Sequence, residues 1–253
     1  MTLNDIGMYL IGKYNIKNTV RDVYNSNSNA EKKLVLDCGC GRGTYSYLFN
    51  DEQYVGLDFN ISSIRICKKI HPEKVFVVGD ATKLPFRDDS FENVVCSEVL
   101  EHVSNDLGVI TEFERITRTP GSIVISIPNL DCNNILVNWQ RDLIDEEVGH
   151  VRRGYLFLEI MELIGKSKFK MGKIRYSCGP VTALIEFIII KFGRIFGYNP
   201  SDLNQLFDGE KSLPVRICLK VYTLFFPILS RITYLDKLLP KSYRSNMVIM
   251  ATK

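Results

Sequence analysis

LVLDCGCGRG, residues 34–43, is an apolar run that ends in an acid and continues into glycines at 39, 41 and 43. It reads as a buried strand followed by a tight turn. Glycine lets the backbone take positive φ and lets a ligand come close to the amides. A helix after the turn offers N–H groups that no earlier carbonyl can satisfy. Two ligand classes use this layout. A dinucleotide site takes the spacing GxGxxG and needs a glycine at position 44, where this chain has Thr44. The spacing here is DxGxGxG, counted from Asp37.

Outward from the loop, short apolar runs alternate with amphipathic stretches. YVGLDFN, residues 54–60, is a second strand ending in Asp58. A carboxylate about twenty residues beyond the first strand can accept from both ribose hydroxyls. Strands are expected near 33–37, 54–58, 75–78, 93–97 and 122–127, with helices near 44–49, 62–70 and 107–117. This βαβ alternation predicts an α/β fold with a parallel sheet wound on both faces. Pro120-Gly121 marks the turn into the fifth strand. Beyond 128 a helix is expected near 153–164 and a strand near 168–176. Two apolar helical segments follow, ALIEFIIIKFGRIF (183–196) and VRICLKVYTLFFPIL (215–229), and NMVIMATK (246–253) reads as a last strand.

VVGDATKLPF (77–86) and DDSFENVVCSEVLEHV (88–103) separate the two ligand classes. With the DxGxGxG loop they resemble, in order and spacing, the class I S-adenosylmethionine-dependent methyltransferases, in the group that includes ubiquinone-biosynthesis enzymes. The resemblance covers about residues 33–130 and, more weakly, the last strand. It implies a Rossmann-like doubly wound sheet, mostly parallel with an antiparallel last strand. It also implies S-adenosylmethionine as cofactor, bound by Asp37, Gly39, Cys40, Gly41, Gly43, Asp58, Phe59, Asp80, Ala81 and Ser97. Asp58 would take the ribose, and Asp80 with the Ala81 amide the adenine. In the bare family fold the last two strands form a close hairpin. Here an apolar helical insertion separates them. The expected organisation is a leading helix and loop (1–30), the cofactor-binding core (31–179), the insertion (180–242) and the last core strand (243–253).

Chemistry beyond the cofactor is read from few residues. Glu98, Glu101 and His102 would share one face if SEVLEHV is helical, being i, i+3 and i+4. His102 and His150 are the candidate general bases toward an acceptor hydroxyl. The same residues resemble the ligand set of metal-dependent O-methyltransferases of quinone precursors and of RNA 2′-hydroxyls, whereas EVLEH also occurs in family members that need no metal, so no metal ligand is assigned. Arg152 and Arg153 suit a phosphate or carboxylate clamp or a solvated helix start. Tyr155 and Trp139 suit a pocket wall or core packing.

Composition narrows the acceptor. Seven cysteines without a CxxC pair give neither a disulfide framework nor a zinc cluster and fit a reducing cytoplasm. The N-terminus lacks the pattern of a signal peptide. Residues 1–140 carry 14 Lys/Arg against 18 Asp/Glu, and residues 141–253 carry 18 against 11. A basic half that also holds the longest apolar runs suits an amphiphilic acceptor and a peripheral position at the inner face of a membrane. The insertion then serves as an interfacial element, a lid, a dimer contact or plain core packing. Nucleic-acid faces favour cations interleaved with stacking aromatics, which these apolar runs are not. The reading is an S-adenosylmethionine-dependent methyltransferase that O-methylates a glycan, a lipid-linked molecule or another amphiphilic small molecule. A non-catalytic S-adenosylmethionine-binding module and a nicotinamide oxidoreductase are the alternatives. Thr44 and GDATKLPF speak against the latter.

Overall fold

The computed structural model describes residues 11–26, 34–49, 53–138, 151–195 and 213–253. They fall into two compact units. One comprises Lys17–Asp131, Val151–Arg175 and Asn246–Lys253; the other comprises the described parts of 1–16, 132–150 and 176–245.

The first unit is built on a seven-stranded sheet. Its strands are β1 (Leu34–Cys38), β2 (Gln53–Asp58), β3 (Val75–Val78), β4 (Phe91–Ser97), β5 (Thr117–Pro128), β6 (Lys170–Ser177) and β7 (Asn246–Thr252). Their order is β3-β2-β1-β4-β5-β7-β6. Neighbouring pairs among β1 to β5 are parallel, and β7 runs antiparallel beside β5. This is the mostly parallel α/β sheet with an antiparallel last strand that the motifs imply. Asp37 lies opposite Gly56 on one side and Val95 on the other, and Asp58 lies opposite Val78. The strands therefore end nearly in step, and their carboxyl ends form one edge.

The sequences of the central strands explain their position. Val94-Val95-Cys96, Ile123-Val124-Ile125 and Met247-Val248-Ile249 are buried without interruption, as strands covered on both faces must be. Helix α1 (Ile11–Asn25) precedes β1, and α2 (Ile61–Ile70), α3 (Asp106–Ile116) and α4 (Phe157–Gly165) fall between strands. Residues Val109, Ile110, Phe113 and Ile116 of α3 are buried at helical spacing. Asn105 starts that helix by accepting from the Gly108 amide at 3.0 Å.

Three local expectations change. The segment 44–49 is not an α-helix but a tight turn leading into a 3-10 helix, Ser46–Phe49. There Ser46 N bonds to the Gly43 carbonyl and Leu48 N to the Tyr45 carbonyl, three residues back in each case. The helix expected from 153 starts at Phe157, because Tyr155 N donates to the Pro128 carbonyl and Leu130 N to the Tyr155 carbonyl, which keeps this stretch extended. Pro120-Gly121 lies inside β5 rather than before it. It falls at a register shift between Phe91 and Asn93, where a residue without an N–H is tolerated.

In the second unit, α5 (Pro180–Ile195) and α6 (Leu213–Ile232) fall between β6 and β7, followed by a 3-10 segment, Thr233–Leu238. Phe226 of α6 is buried, with the rings of Tyr14 and Tyr222 edge-on at 5.0 and 5.6 Å. Buried Asp236 anchors the start of α5. It accepts from Gly179 N, Val181 N, Thr182 N and the Thr182 hydroxyl at 2.6 to 3.1 Å. Among the described residues no helix is long and apolar enough to cross a membrane.

Candidate functional site

At the carboxyl edge of β1 the chain turns sharply. Gly39 N and Cys40 N both donate to the Leu57 carbonyl, at 2.7 and 2.9 Å, and Gly43 N donates to the Cys40 carbonyl. Gly39 has φ +78°, and a Cβ there would stand 2.1 Å from Val99 Cγ2. Gly41 has φ +52°, and a Cβ there would meet nothing within 4 Å. The first glycine is required by its neighbours and by its backbone; the second borders open space.

Asp58, the last residue of β2, fixes this turn. Its Oδ2 accepts from Gly41 N and its Oδ1 from Asn60 N, both at 2.8 Å. Asn60 in turn caps α2 by accepting from Ser62 N and Ser63 N. A carboxylate holds about four acceptor positions, so two remain for other donors. Beside Asp58, Phe59 leaves 81% of its surface exposed. An aromatic ring so placed keeps apolar surface in water, an unfavourable hydration that a flat ligand would relieve. Gly79 N bonds back to the Asp58 carbonyl and brings the next turn alongside. In that turn exposed Asp80 accepts through Oδ1 from Thr82 N and the Thr82 hydroxyl, at 2.8 Å each, and Ala81 is half-buried.

Asp37 differs from the other acids. It is buried, its Oδ2 accepts from the Tyr54 hydroxyl at 2.6 Å, and its Oδ1 has no hydrogen-bond partner. Burial raises its carboxyl to about 7, against the lowering effect of the Tyr54 bond. Burial and the Asp37 charge hold Tyr54 protonated. Nearby, the Lys17 ammonium lies 3.2 Å from the centroid of the Tyr47 ring. The hydrogen bond with Cys67, followed by burial, pushes the Cys40 thiol up, so it behaves as a small packing group. At the end of β4 the Ser97 and Tyr45 hydroxyls are 2.9 Å apart.

The residues after Ser97 do not form the expected face. Glu98 has φ +57° and stands outside the following 3-10 turn, Leu100–His102. Its Oε1 accepts from Asn246 Nδ2 at 2.6 Å and from the Ser126 hydroxyl at 3.1 Å. Glu101 is buried, and its carbonyl accepts from Val151 N and Arg152 N. His102 is exposed. The i, i+3, i+4 spacing of an α-helix therefore does not apply here, because Glu98 has a left-handed φ and only Leu100–His102 are helical, in a 3-10 turn. No group of three or more metal-ligating side chains assembles among the described residues. His150 and Trp139 lie outside the described residues. Arg152 pairs with Asp106 and Glu159 and stacks over the Tyr155 ring, whose hydroxyl donates to Asp106; Arg153 is exposed.

The edge therefore brings together Asp37, the glycine turn, Asp58, Phe59, Asp80, Ala81 and Ser97 on four adjacent strands. Sequence reasoning missed Tyr54, Tyr45 and Lys17. Tyr54 carries a signal in hindsight, since it sits opposite Val35 in a strand whose alternate residues face one layer. Lys17 carries none, because it reaches this layer from α1.

Comparison with known proteins agrees with the geometry. Residues 36–125 match the family model described as a methyltransferase domain. A phthiotriol/phenolphthiotriol dimycocerosates methyltransferase of Mycobacterium tuberculosis is 33% identical over 144 residues, 54% of this chain and 53% of that protein. A demethylmenaquinone methyltransferase of Renibacterium salmoninarum is 36% identical over 94 residues, 36% of this chain and 40% of that protein. The chain thus spans about half the length, or less, of the relatives it matches. The crystal structure of a SAM-dependent methyltransferase from Archaeoglobus fulgidus shares the fold, with a TM-score of 0.58 and 19% identity over 94% of this chain and 93% of that one.

Proposed function

We propose that the chain, whose residues 36–125 match a methyltransferase-domain model and whose sheet shares the fold of a SAM-dependent methyltransferase, transfers a methyl group from S-adenosylmethionine to an oxygen of an amphiphilic small molecule. The observation that carries the reading is the open backbone at Gly41, pinned by Asp58 beside the unpartnered Oδ1 of Asp37. The cofactor fits these donors and acceptors. Asp37 would take the cationic amino group of its methionine end, and the glycine turn 39–43 with Cys40 would follow its chain. Asp58 would accept from the ribose hydroxyls with its two remaining lone-pair positions. Phe59 would cover one face of the adenine, and Asp80 with Ala81 its polar edge. Ser97 would border the methyl-bearing end.

When bound, S-adenosylmethionine supplies a methyl group on a sulfonium, which is electrophilic without further activation. The protein's tasks are then to orient the acceptor oxygen, exclude water and receive its proton. His102 and His150 are the candidate bases. His102 ends the 3-10 turn Leu100–His102 that follows β4, five residues after Ser97. The relatives' names, one a methyltransferase of phthiotriol/phenolphthiotriol dimycocerosates and one of demethylmenaquinone, support a lipid-like or quinone-like acceptor. The apolar insertion before β7 supports the same class, including lipid-linked glycans, and a peripheral place on the cytoplasmic side of a membrane.

Calorimetry with S-adenosylhomocysteine tests the reading. The wild type is expected to bind, and Asp58→Ala to weaken binding at least tenfold, through a lost charged acceptor worth about 1.5–3 kcal/mol. No binding by the wild type, or equal binding by the variant, overturns it. His102→Gln is expected to keep that affinity while slowing methyl transfer from labelled cofactor into a membrane-lipid extract. Unchanged transfer leaves His150 as the base.

A further inference from the structure

The outer face of α6 is apolar where a surface helix should be polar. Val221, Leu224, Phe225, Ile228 and Ile232 are all exposed, Leu224 to 73%. Their spacing of 0, 3, 4, 7 and 11 residues puts them on one stripe. The opposite stripe, with Phe226 and Thr233, is the buried one. The 3-10 segment continues the exposed surface with Leu235 and Leu238, the latter 80% exposed, and Leu239 follows.

The exposed charges within residues 220–245 have one sign. Residues 213–245 contain Arg216, Lys220, Arg231, Lys237, Lys241 and Arg244 but a single acid, Asp236. Asp236 is buried and turned to the start of α5, as described above. Lys220 and Arg231 are exposed and eleven residues apart, hence on the same flank of the apolar stripe, and Lys237 and Lys241 are exposed beyond it. A row of apolar side chains edged by cations, with no exposed carboxylate among residues 213–245, matches the acyl–headgroup boundary of an anionic bilayer. There apolar groups enter, and long cationic stems reach back to phosphates. A second copy of the chain is a poorer occupant, because the same cations would then face one another across the contact.

We propose that α6 and the 3-10 segment after it dock flat on an anionic lipid surface, through Val221, Leu224, Phe225, Ile228, Ile232 and Leu238. This docking does not rest on the methyl-transfer reading, since it needs neither cofactor nor acceptor. Co-sedimentation of the full chain with phosphatidylcholine vesicles, with and without about one-third phosphatidylglycerol, tests it. Wild type is expected to pellet with the anionic vesicles and to be released by high salt. Leu224→Glu combined with Ile228→Glu is expected to stay in the supernatant with an unchanged melting temperature. Lys220→Ala and Arg231→Ala are each expected to weaken the partition about fivefold. These two exposed positions keep the test open if the double variant fails to fold. Failure of wild type to pellet overturns the proposal. So does equal pelleting of the folded double variant, or a wild-type dimer that the double variant converts to monomer.

Discussion

Replacing Asp37 by Asn isolates a buried acid of the carboxyl edge that has one oxygen without a hydrogen bond. In the folded protein its carboxyl is raised to about 7 from an ordinary 3.8. A raised carboxylate favours the folded state most when protonated. Its contribution is present in full below the unfolded value and is lost as pH rises through the folded one. Between pH 5 and pH 8 the loss runs at about 1.4 kcal/mol per pH unit until it flattens near 7, for a total of roughly 3 kcal/mol. Asparagine does not ionise, so Asp37→Asn is expected to gain about that much on the wild type over this interval. In a chain of this size that is a relative rise in melting temperature of about 6–12 °C. Urea unfolding of both proteins at pH 5 and pH 8 measures it. The other acids titrate equally in the two proteins and cancel. The same ionisation predicts a functional cost. If the Asp37 anion receives the cofactor's amino group, affinity for S-adenosylhomocysteine falls about tenfold from pH 8 to pH 6 in the wild type and stays level in Asp37→Asn. Parallel stability curves for the two proteins across this range would refute the burial argument.

Two further substitutions probe the frame around the site. Gly39→Ala places a Cβ against Val99 at a left-handed φ; a loss of about 3 kcal/mol in unfolding free energy is expected, of which Val99→Ala returns the steric part. Additive losses in the double variant would show that the contact with Val99 is not the cause. Asp236→Ala leaves the Gly179, Val181 and Thr182 amides without their acceptor at the start of α5; circular dichroism and denaturant titration are expected to show a loss of about 3 kcal/mol, and a loss under 1 kcal/mol would mean that water replaces the carboxylate freely.

Much of this was legible in the sequence because strand, turn and acid follow one another locally. The DxGxGxG spacing, YVGLD and GDATKLPF each encode a strand end and the turn after it, so the sheet's carboxyl edge and its acids are readable from local sequence. The failures are non-local or compete at short range. The i, i+3, i+4 reading of Glu98, Glu101 and His102 failed because Glu98 bonds to Ser126 and Asn246, partners no helical period can announce. The helix start at 153 failed because Tyr155 pairs with the chain around Pro128. Tyr54 and Lys17 escaped notice because their roles depend on which layer faces Asp37. The insertion was recognised as apolar, but its periodicity could not tell which of two apolar stripes on α6 is covered.

The place of β7 has a consequence for how the protein is made. It is the last of the seven strands to leave the ribosome, yet it lies between β5 and β6 rather than at an edge. Until residues 246–252 emerge, β5 presents the apolar ribbon from Ser122 to Ile127 with its hydrogen-bonding side open, and Glu98 lacks the Asn246 amide. A nascent chain therefore carries the whole glycine turn long before it can close its sheet. Loss of residues 246–252 would leave an aggregation-prone edge at β5.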